Sequence, residues 1–267
     1  MKRLMKISVV VLSVLLLATG CTKKEISENE LVVGATPEPH AELLNLIAPD
    51  LEEAGYKLTV VEFTDYVIPN EAVLAGELDA NYFQHLPYME QFNAERKSDL
   101  VSAGGIHIEP IALYSSKYSS IDEFPDGAKI AIPNDPTNEG RALLLLQSNG
   151  LIKLDEKSGL TATPLDIVEN PKNLMFSEIE APSLPRIIQD VDGAIINGNY
   201  ALPAGFNANK DGILIEGADS PYVNIVAVKA GNENLPKIQA LVAALKSEKV
   251  AKYIKERYPN GDVIPVF

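Results

Sequence analysis

The sequence predicts an α/β protein built as two lobes, and three observations carry that prediction. β-rich runs alternate with helical apolar spacing from Leu31 onward, a second alternating set begins near Ser115, and Asn, Pro and Gly gather between the elements, as in Pro133-Asn134-Asp135-Pro136 and Asn197-Gly198-Asn199. With 267 residues, 46% hydrophobic and 22% charged, the chain can bury a substantial core in one large domain or two smaller ones.

Residues 31–36 and 57–63 read as strands. Between them Leu43, Leu44, Ile47 and Leu51 recur at helical spacing with Gly55 as the stop signal, and Pro49 is expected to kink or split that helix. Strand, helix, strand is the unit of a parallel sheet with both faces covered. Residues 69–76 and 86–96 follow as helices, and 106–114 as one strand. In the second set, 129–132 is a strand and 136–147 a helix stopped by Gly150, followed by strands at 193–196, 213–216 and 222–228. Two helices close the chain, the first placing Leu235, Ile238, Leu241, Val242 and Leu245 on one face. In such sheets ligands sit beyond the carboxyl ends of the strands, so a site is expected in the loops there.

The first residues read as an address. Lys2, Arg3 and Lys6 precede an apolar run at 7–18 and then Thr19-Gly20-Cys21, the order of a secretory signal. Twelve residues at about 1.5 Å rise span roughly 18 Å, short of a ~30 Å hydrocarbon core, so no permanent span is expected there. The region before Cys21 resembles a bacterial lipobox, with Ala18 where Leu is usual. Residues 1–20 are therefore expected to be a lipoprotein signal peptide and 21–30 a lipidated polar tether, with Cys21 acylated and the body held outside the cell membrane. As the single cysteine, Cys21 also excludes an intramolecular disulfide and any Cys-x-x-Cys pair. The net charge of −14 becomes −17 once Lys2, Arg3 and Lys6 are removed, which argues against a nucleic-acid partner.

Catalytic patterns are sparse. No Gly-x-Ser-x-Gly elbow, Gly-rich phosphate loop or His-x-x-x-His pair occurs, and His40, His85 and His107 are scattered, so no metal, cofactor or catalytic residue is expected. A Ser-His-Asp set is defined by geometry and stays open at this level. Arg141 falls in the opening turns of the helix beginning near Pro136, where free N–H groups and the helix dipole already favour an anion. The run 82–88, Tyr-Phe-Gln-His-Leu-Pro-Tyr, concentrates rings in a chain that is 6% aromatic, and suits either core packing or a thioether or aliphatic guest. Asn197 and Asn224 each follow an apolar run, where an amide can accept from an ammonium or form a turn.

These residues fall within longer motifs: Thr64-Asp65-Tyr66, Pro69-Asn70-Glu71-Ala72, 78–85, 132–138 with Gly140-Arg141, 168–174 and Ser220-Pro221-Tyr222-Val223-Asn224. In order, and across about 31–267, they resemble the NlpA/MetQ family of methionine-binding lipoproteins. The resemblance implies a two-lobed periplasmic-binding-protein type II clamshell with two interlobe strand crossings, lobe one combining 31–112 with 226–267 and lobe two being 113–225. It implies L-methionine as ligand, an ABC importer's permease and ATPase as partners, and a membrane attachment through the N-terminal lipid. Carried onto this sequence, Tyr66, Phe83, His85 and Tyr88 would wall the methionine side chain, Arg141 would hold its carboxylate, and Asn197 and Asn224 would bond its backbone end. D-Methionine, a methionine-containing dipeptide or another apolar amino acid are the alternative ligands. Two other classes are a hydrolase pairing His85 with Asp79 or Glu109, and a surface adhesin.

Overall fold

Alternation decides the first strand. In β1 (Glu30–Ala35), Leu31, Val33 and Ala35 enter one buried cluster while Val32 packs against another, the period of two that a strand imposes. The computed structural model describes residues 28–217 and 220–267; the expected signal segment, Cys21 and the tether up to residue 27 lie outside the described residues. After β1 come α1 (Glu42–Glu53), β2 (Lys57–Glu62), α2 (Ile68–Ala75), β3 (Ala80–His85), α3 (Leu86–Arg96) and β4 (Leu100–Ile108). A second group holds β5 (Ala112–Tyr114), β6 (Lys129–Pro133), α4 (Pro136–Ser148), β7 (Lys153–Leu154), β8 (Ile167–Glu169), β9 (Met175–Ile179), α5 (Leu184–Ile187), β10 (Gly193–Ile196), α6 (Gly198–Ala201), α7 (Ala208–Asp211) and β11 (Leu214–Ile215). The chain closes with β12 (Val223–Lys229), α8 (Pro236–Leu245), α9 (Glu248–Arg257) and β13 (Ile264–Pro265).

The strands form a six-stranded sheet in the order β13-β4-β12-β3-β1-β2, a five-stranded sheet in the order β11-β5-β10-β6-β9, and a β7-β8 pair. Both large sheets are mixed and not wholly parallel as expected. β1 runs parallel to β2 and β3, whereas β12 returns from the second sheet and runs antiparallel to β3 and β4. Each face is covered, so each sheet separates two apolar clusters. Leu43, Leu44, Ile47, Ile238 and Leu241 pack on one side of the first sheet and Val73, Met89 and Phe92 on the other. Ile195 enters the core with Leu143 and Leu146, while its neighbours Ala194 and Ile196 join Leu184 and Ile188.

The chain passes between the sheets twice, at 109–111 and between β11 and β12. The expected single strand at 106–114 is thus two strands in two sheets. Pro110, which has no N–H to give a ladder, stands in the break. β12 lies wholly in the first sheet, Val223 pairing with Ile108, so a lobe boundary at 225/226 would fall inside a strand; Ala112 pairs with Ile196 and Ile215 of the second sheet.

Pro49 does not split α1. Its missing N–H orphans the carbonyl of Asn45, and both residues lie on the exposed face where water can satisfy that group, while Leu43, Leu44, Ile47 and Leu51 anchor the helix on either side. Leu235 is not part of the α8 face; it is the N-cap and is 39% exposed. β9 gave no sequence signal because it is an edge strand whose Ser177 and Glu178 interrupt the apolar run.

Candidate functional site

The site is assembled at strand ends. All of β3 is buried, and its last residues deliver Phe83, Gln84 and His85; His85 then caps α3 by accepting the Tyr88 N–H at 3.1 Å, which brings the Tyr88 ring alongside. Tyr66 comes from the loop after β2. Across the cleft, Asp135 caps α4 and fixes its first turns, which carry Asn138 and Arg141. Asn197, Gly198 and Asn199 follow the end of β10, Glu109 stands in the first interlobe passage, and Asn224 lies near the start of β12, just after the second. Apart from Asp135, these residues line one cavity of about 330 Å³ of atom-free space, mouth included. Tyr66, Phe83, His85, Tyr88, Arg141, Asn197 and Asn224, the seven residues singled out in the sequence, all line it.

One end is a cage of rings. Tyr66 lies 5.8 Å from both Phe83 and Tyr88, and Phe83 lies 6.1 Å from Tyr88, within the range of favourable aromatic contacts. The cage is tied shut by polar edges: Tyr66 donates its hydroxyl to Asn199 Oδ1 at 2.6 Å, Tyr88 donates to the Tyr66 carbonyl at 2.9 Å, and Tyr200 donates to the Thr64 carbonyl at 3.1 Å.

The other end is polar. Arg141 is buried against the Tyr222 ring at 4.3 Å; its Nε donates to Glu216 Oε1 at 2.9 Å and its Nη2 to Glu216 Oε2 and to the Glu109 backbone carbonyl. Nη1 has no hydrogen bond to the protein among the described residues. Asn138 Oδ1 receives Asn197 Nδ2 at 2.7 Å and His85 Nε2 at 3.1 Å. Because His85 Nδ1 accepts a backbone N–H, its proton is on Nε2. Burial, with Arg141 nearby, lowers its pKa to about 3, so the ring is neutral. Among the described residues no carboxylate hydrogen-bonds it, and Asp79 is engaged by Lys237 and the Val32 N–H, so they offer no His85–carboxylate pair of the hydrolase kind. Two buried amide atoms facing this region, Asn197 Oδ1 and Asn199 Nδ2, have no partner.

Behind the polar end, two histidines that looked scattered converge. His107 Nε2 lies 2.8 Å and His40 Nε2 3.3 Å from Glu109 Oε1, with Asn224 Oδ1 3.0 Å from His40 Nε2. Thr36 Oγ1 and Tyr82 OH meet their Nδ1 atoms at 2.8 and 2.5 Å. Among the described residues this is the one group of three ligating side chains gathered within 4.8 Å, yet every ring nitrogen in it already serves a hydrogen bond. Burial lowers the pKa of His40 to about 4 and of His107 to about 3, and pushes the Glu109 carboxyl up. Asn138 and Glu216 were not singled out by sequence as parts of this site, and Glu109 was named only as a partner of His85 in the hydrolase alternative. Asn138 lay inside a quoted motif; nothing local marked Glu216.

The family model described as NlpA lipoprotein matches residues 31–267, which takes in both sheets and both passages. The chain belongs to the NlpA lipoprotein family. Within it, this NlpA-family chain is 46% identical to the membrane lipoprotein TpN32 of Treponema pallidum over 92% of its own length and 91% of that protein's. It is 44% identical to the D-methionine-binding lipoprotein MetQ of Salmonella typhimurium, covering 91% of each chain. Its fold matches that of a nutrient binding protein from Burkholderia cenocepacia, solved bound to methionine, with a TM-score of 0.86 at 45% identity over 89% of this chain and 100% of that one. The NlpA fold here is thus the two-lobed clamshell that the motifs implied.

Proposed function

We propose that this chain is an extracytoplasmic, lipid-anchored substrate-binding protein, not an enzyme, that captures L-methionine between its lobes and delivers it to the permease and ATPase of an ABC importer. The observation that carries this reading is one cavity with a ring cage at one end and a guanidinium with a free edge at the other. Relatives named for D-methionine binding, and a neighbour solved with methionine, support it. Anchoring through Cys21 rests on the lipobox and the family's lipoprotein character; among the described residues no helix is long and apolar enough to cross a membrane.

In this reading Tyr66, Phe83, His85 and Tyr88 enclose the thioether, each sulfur–ring contact adding about 0.3–1.5 kcal/mol to the apolar burial. Arg141 Nη1 takes a carboxylate oxygen, and Asn197 and Asn224 meet the backbone end. We take lobe one as 31–108 with 223–267 and lobe two as 112–215, close to the division implied by the motifs and adjusted to sheet membership. Ligand charges leave water only if both find partners, so closure around a zwitterion is favoured and closure around an apolar molecule of equal size is not. No bond is made or broken.

Calorimetry on unfolded and refolded protein tests the reading, with L-methionine, D-methionine, methionine dipeptides, leucine and isoleucine as ligands. L-Methionine should bind tightest. A hydrophobic pocket alone separates near-isosteres by only ~1–3 kcal/mol, so leucine is expected to be weaker but measurable. Absence of heat with methionine and its dipeptides would overturn the assignment.

A further inference from the structure

Besides the two covalent passages, one buried carboxylate joins the lobes. Asp262 follows the turn after α9, in which Gly261 takes a left-handed φ of +85° and donates its N–H to the Tyr258 carbonyl at 3.0 Å. Its flanks belong to lobe one: Val263 lies in the cluster with Ile254 and Tyr258, and β13 pairs with the last residues of β4. Its carboxylate points the other way. Oδ1 accepts the Ala208 N–H at 2.7 Å and Oδ2 accepts Asn207 Nδ2, and both donors stand in lobe two. There Ala208 is packed in the cluster of Tyr114, Leu184 and Ile196, with Phe206 5.3 Å from the Tyr114 ring.

Both donors are held in place by lobe two itself. Asn207 Oδ1 accepts the Lys210 N–H at 3.0 Å, which turns Nδ2 outward, and the Ala208 N–H, in the first turn of α7, has no carbonyl of its own helix to reach. Asp262 is 3% exposed, so the contact excludes water. Two N–H bonds to one carboxylate are each stronger than a bond between neutral groups. The contact lies at the edge of both sheets, since β13 borders β4 in the first and β11, which follows α7, borders β5 in the second. Asn207, Ala208 and Asp262 do not line the ligand cavity.

We propose that Asp262 is an interlobe latch, made when the lobes close and broken when they part. Closing exchanges water on the carboxylate and on its two donors for each other, so the latch sets how much of the empty protein is closed. It thereby contributes the same factor to the affinity of every ligand, because it acts on the closed fraction and not on the cavity. The proposal rests on the closing motion of the reading above and adds a positioning residue that governs that motion without touching the guest.

Energy transfer between dyes on Glu53→Cys in lobe one and Lys157→Cys in lobe two, both exposed, tests it on the full chain carrying Cys21→Ala, so that the labels are unique. Refolded free of ligand, Asp262→Ala should populate the closed form less than the same chain with Asp262 intact, and both should reach the same transfer when saturated with L-methionine. L-Methionine and D-methionine should be weakened by the same factor, about 10-fold, mostly through faster release, with their affinity ratio unchanged. Asn207→Ala cuts the latch from the other lobe; it should have a smaller effect of the same kind and none in addition to Asp262→Ala. Unchanged transfer and release in Asn207→Ala, or in Asp262→Ala if it folds, would overturn the proposal, since a merely structural carboxylate lowers the unfolding midpoint and leaves both readings alone. A changed ratio between the two ligands would overturn it too, because Asp262 would then act on the cavity. If the chain bound no methionine, the transfer in empty protein would still decide the latch, and only the methionine reading would fall.

Discussion

Tyr66 donates its hydroxyl proton to Asn199 Oδ1 across 2.6 Å, joining the loop after β2 to the first turn of α6. The same ring is a wall of the cage, so one side chain both contacts the guest and fastens the lobes. Tyr66→Phe keeps the wall and removes the fastening; it should weaken L-methionine binding by about 3–10-fold, mostly through faster dissociation. Tyr66→Ala removes both and should cost about 100-fold. Stopped-flow release kinetics separate the two, and an equal effect of both variants would contradict this division of roles.

Arg141 and Asn199 should not be equivalent. Arg141→Ala removes the carboxylate donor and leaves Glu216 without its partner, so affinity should fall by about 1000-fold or more, whereas Asn199→Ala loses one neutral hydrogen bond and should cost about 10-fold. Calorimetry on both variants checks this; similar losses would place the carboxylate elsewhere.

Gly140 precedes Arg141 on α4, and a Cβ there would overlap the backbone carbonyl oxygen of Leu160. Backbone cannot yield as a side chain tip can, so Gly140→Ala should destabilise the fold by about 2–4 kcal/mol and shift Arg141 as well. Urea unfolding should show a lower midpoint with unchanged m-value, and a neutral result would show that the loop at 159–161 is free to move.

His85 is neutral in the fold, with its pKa lowered to about 3, but titrates near 6.5 when unfolded. The unfolded chain therefore takes up a proton between those values that the native protein refuses. Stability linked to this group is complete above pH 6.5 and is lost as pH falls towards 3, by up to about 1.4 kcal/mol per pH unit. His85→Gln removes that slope: the stability difference between wild type and variant should be largest at pH 7 and shrink by pH 5. A difference independent of pH would mean that the ring titrates alike in the folded and unfolded chains.

Cys21→Ala should leave the body of the protein in the soluble fraction after cell breakage, since the proposed attachment is the lipid at that residue and among the described residues no helix is long and apolar enough to cross a membrane. Retention with membranes would point to a second attachment.

Most of the fold was legible because apolar residues in β1, β10 and α1 keep the strict periods of their elements. The run 82–88 was visible as a concentration of rings in an aromatic-poor chain, but its role as a wall for a guest, and Tyr66 with it, came from the family resemblance. What could not be read was whatever depends on chain return. Glu216 meets Arg141 from 75 positions away, and Glu109 gathers His40 and His107 from separate strands and turns. No local spacing encodes such meetings. The single strand expected at 106–114 failed for a related reason: apolar residues continue through Pro110, but the sheet they serve changes there.

Arg141 is held by Glu109 on one interlobe passage and by Glu216 at the start of the other. Points close to a pivot travel least when two bodies swing about it. Opening should therefore carry the rings away from the guest while the guanidinium stays nearly in place. Methionine would then arrive and leave in a fixed order, with its carboxylate docking before the thioether is enclosed and departing after it is released.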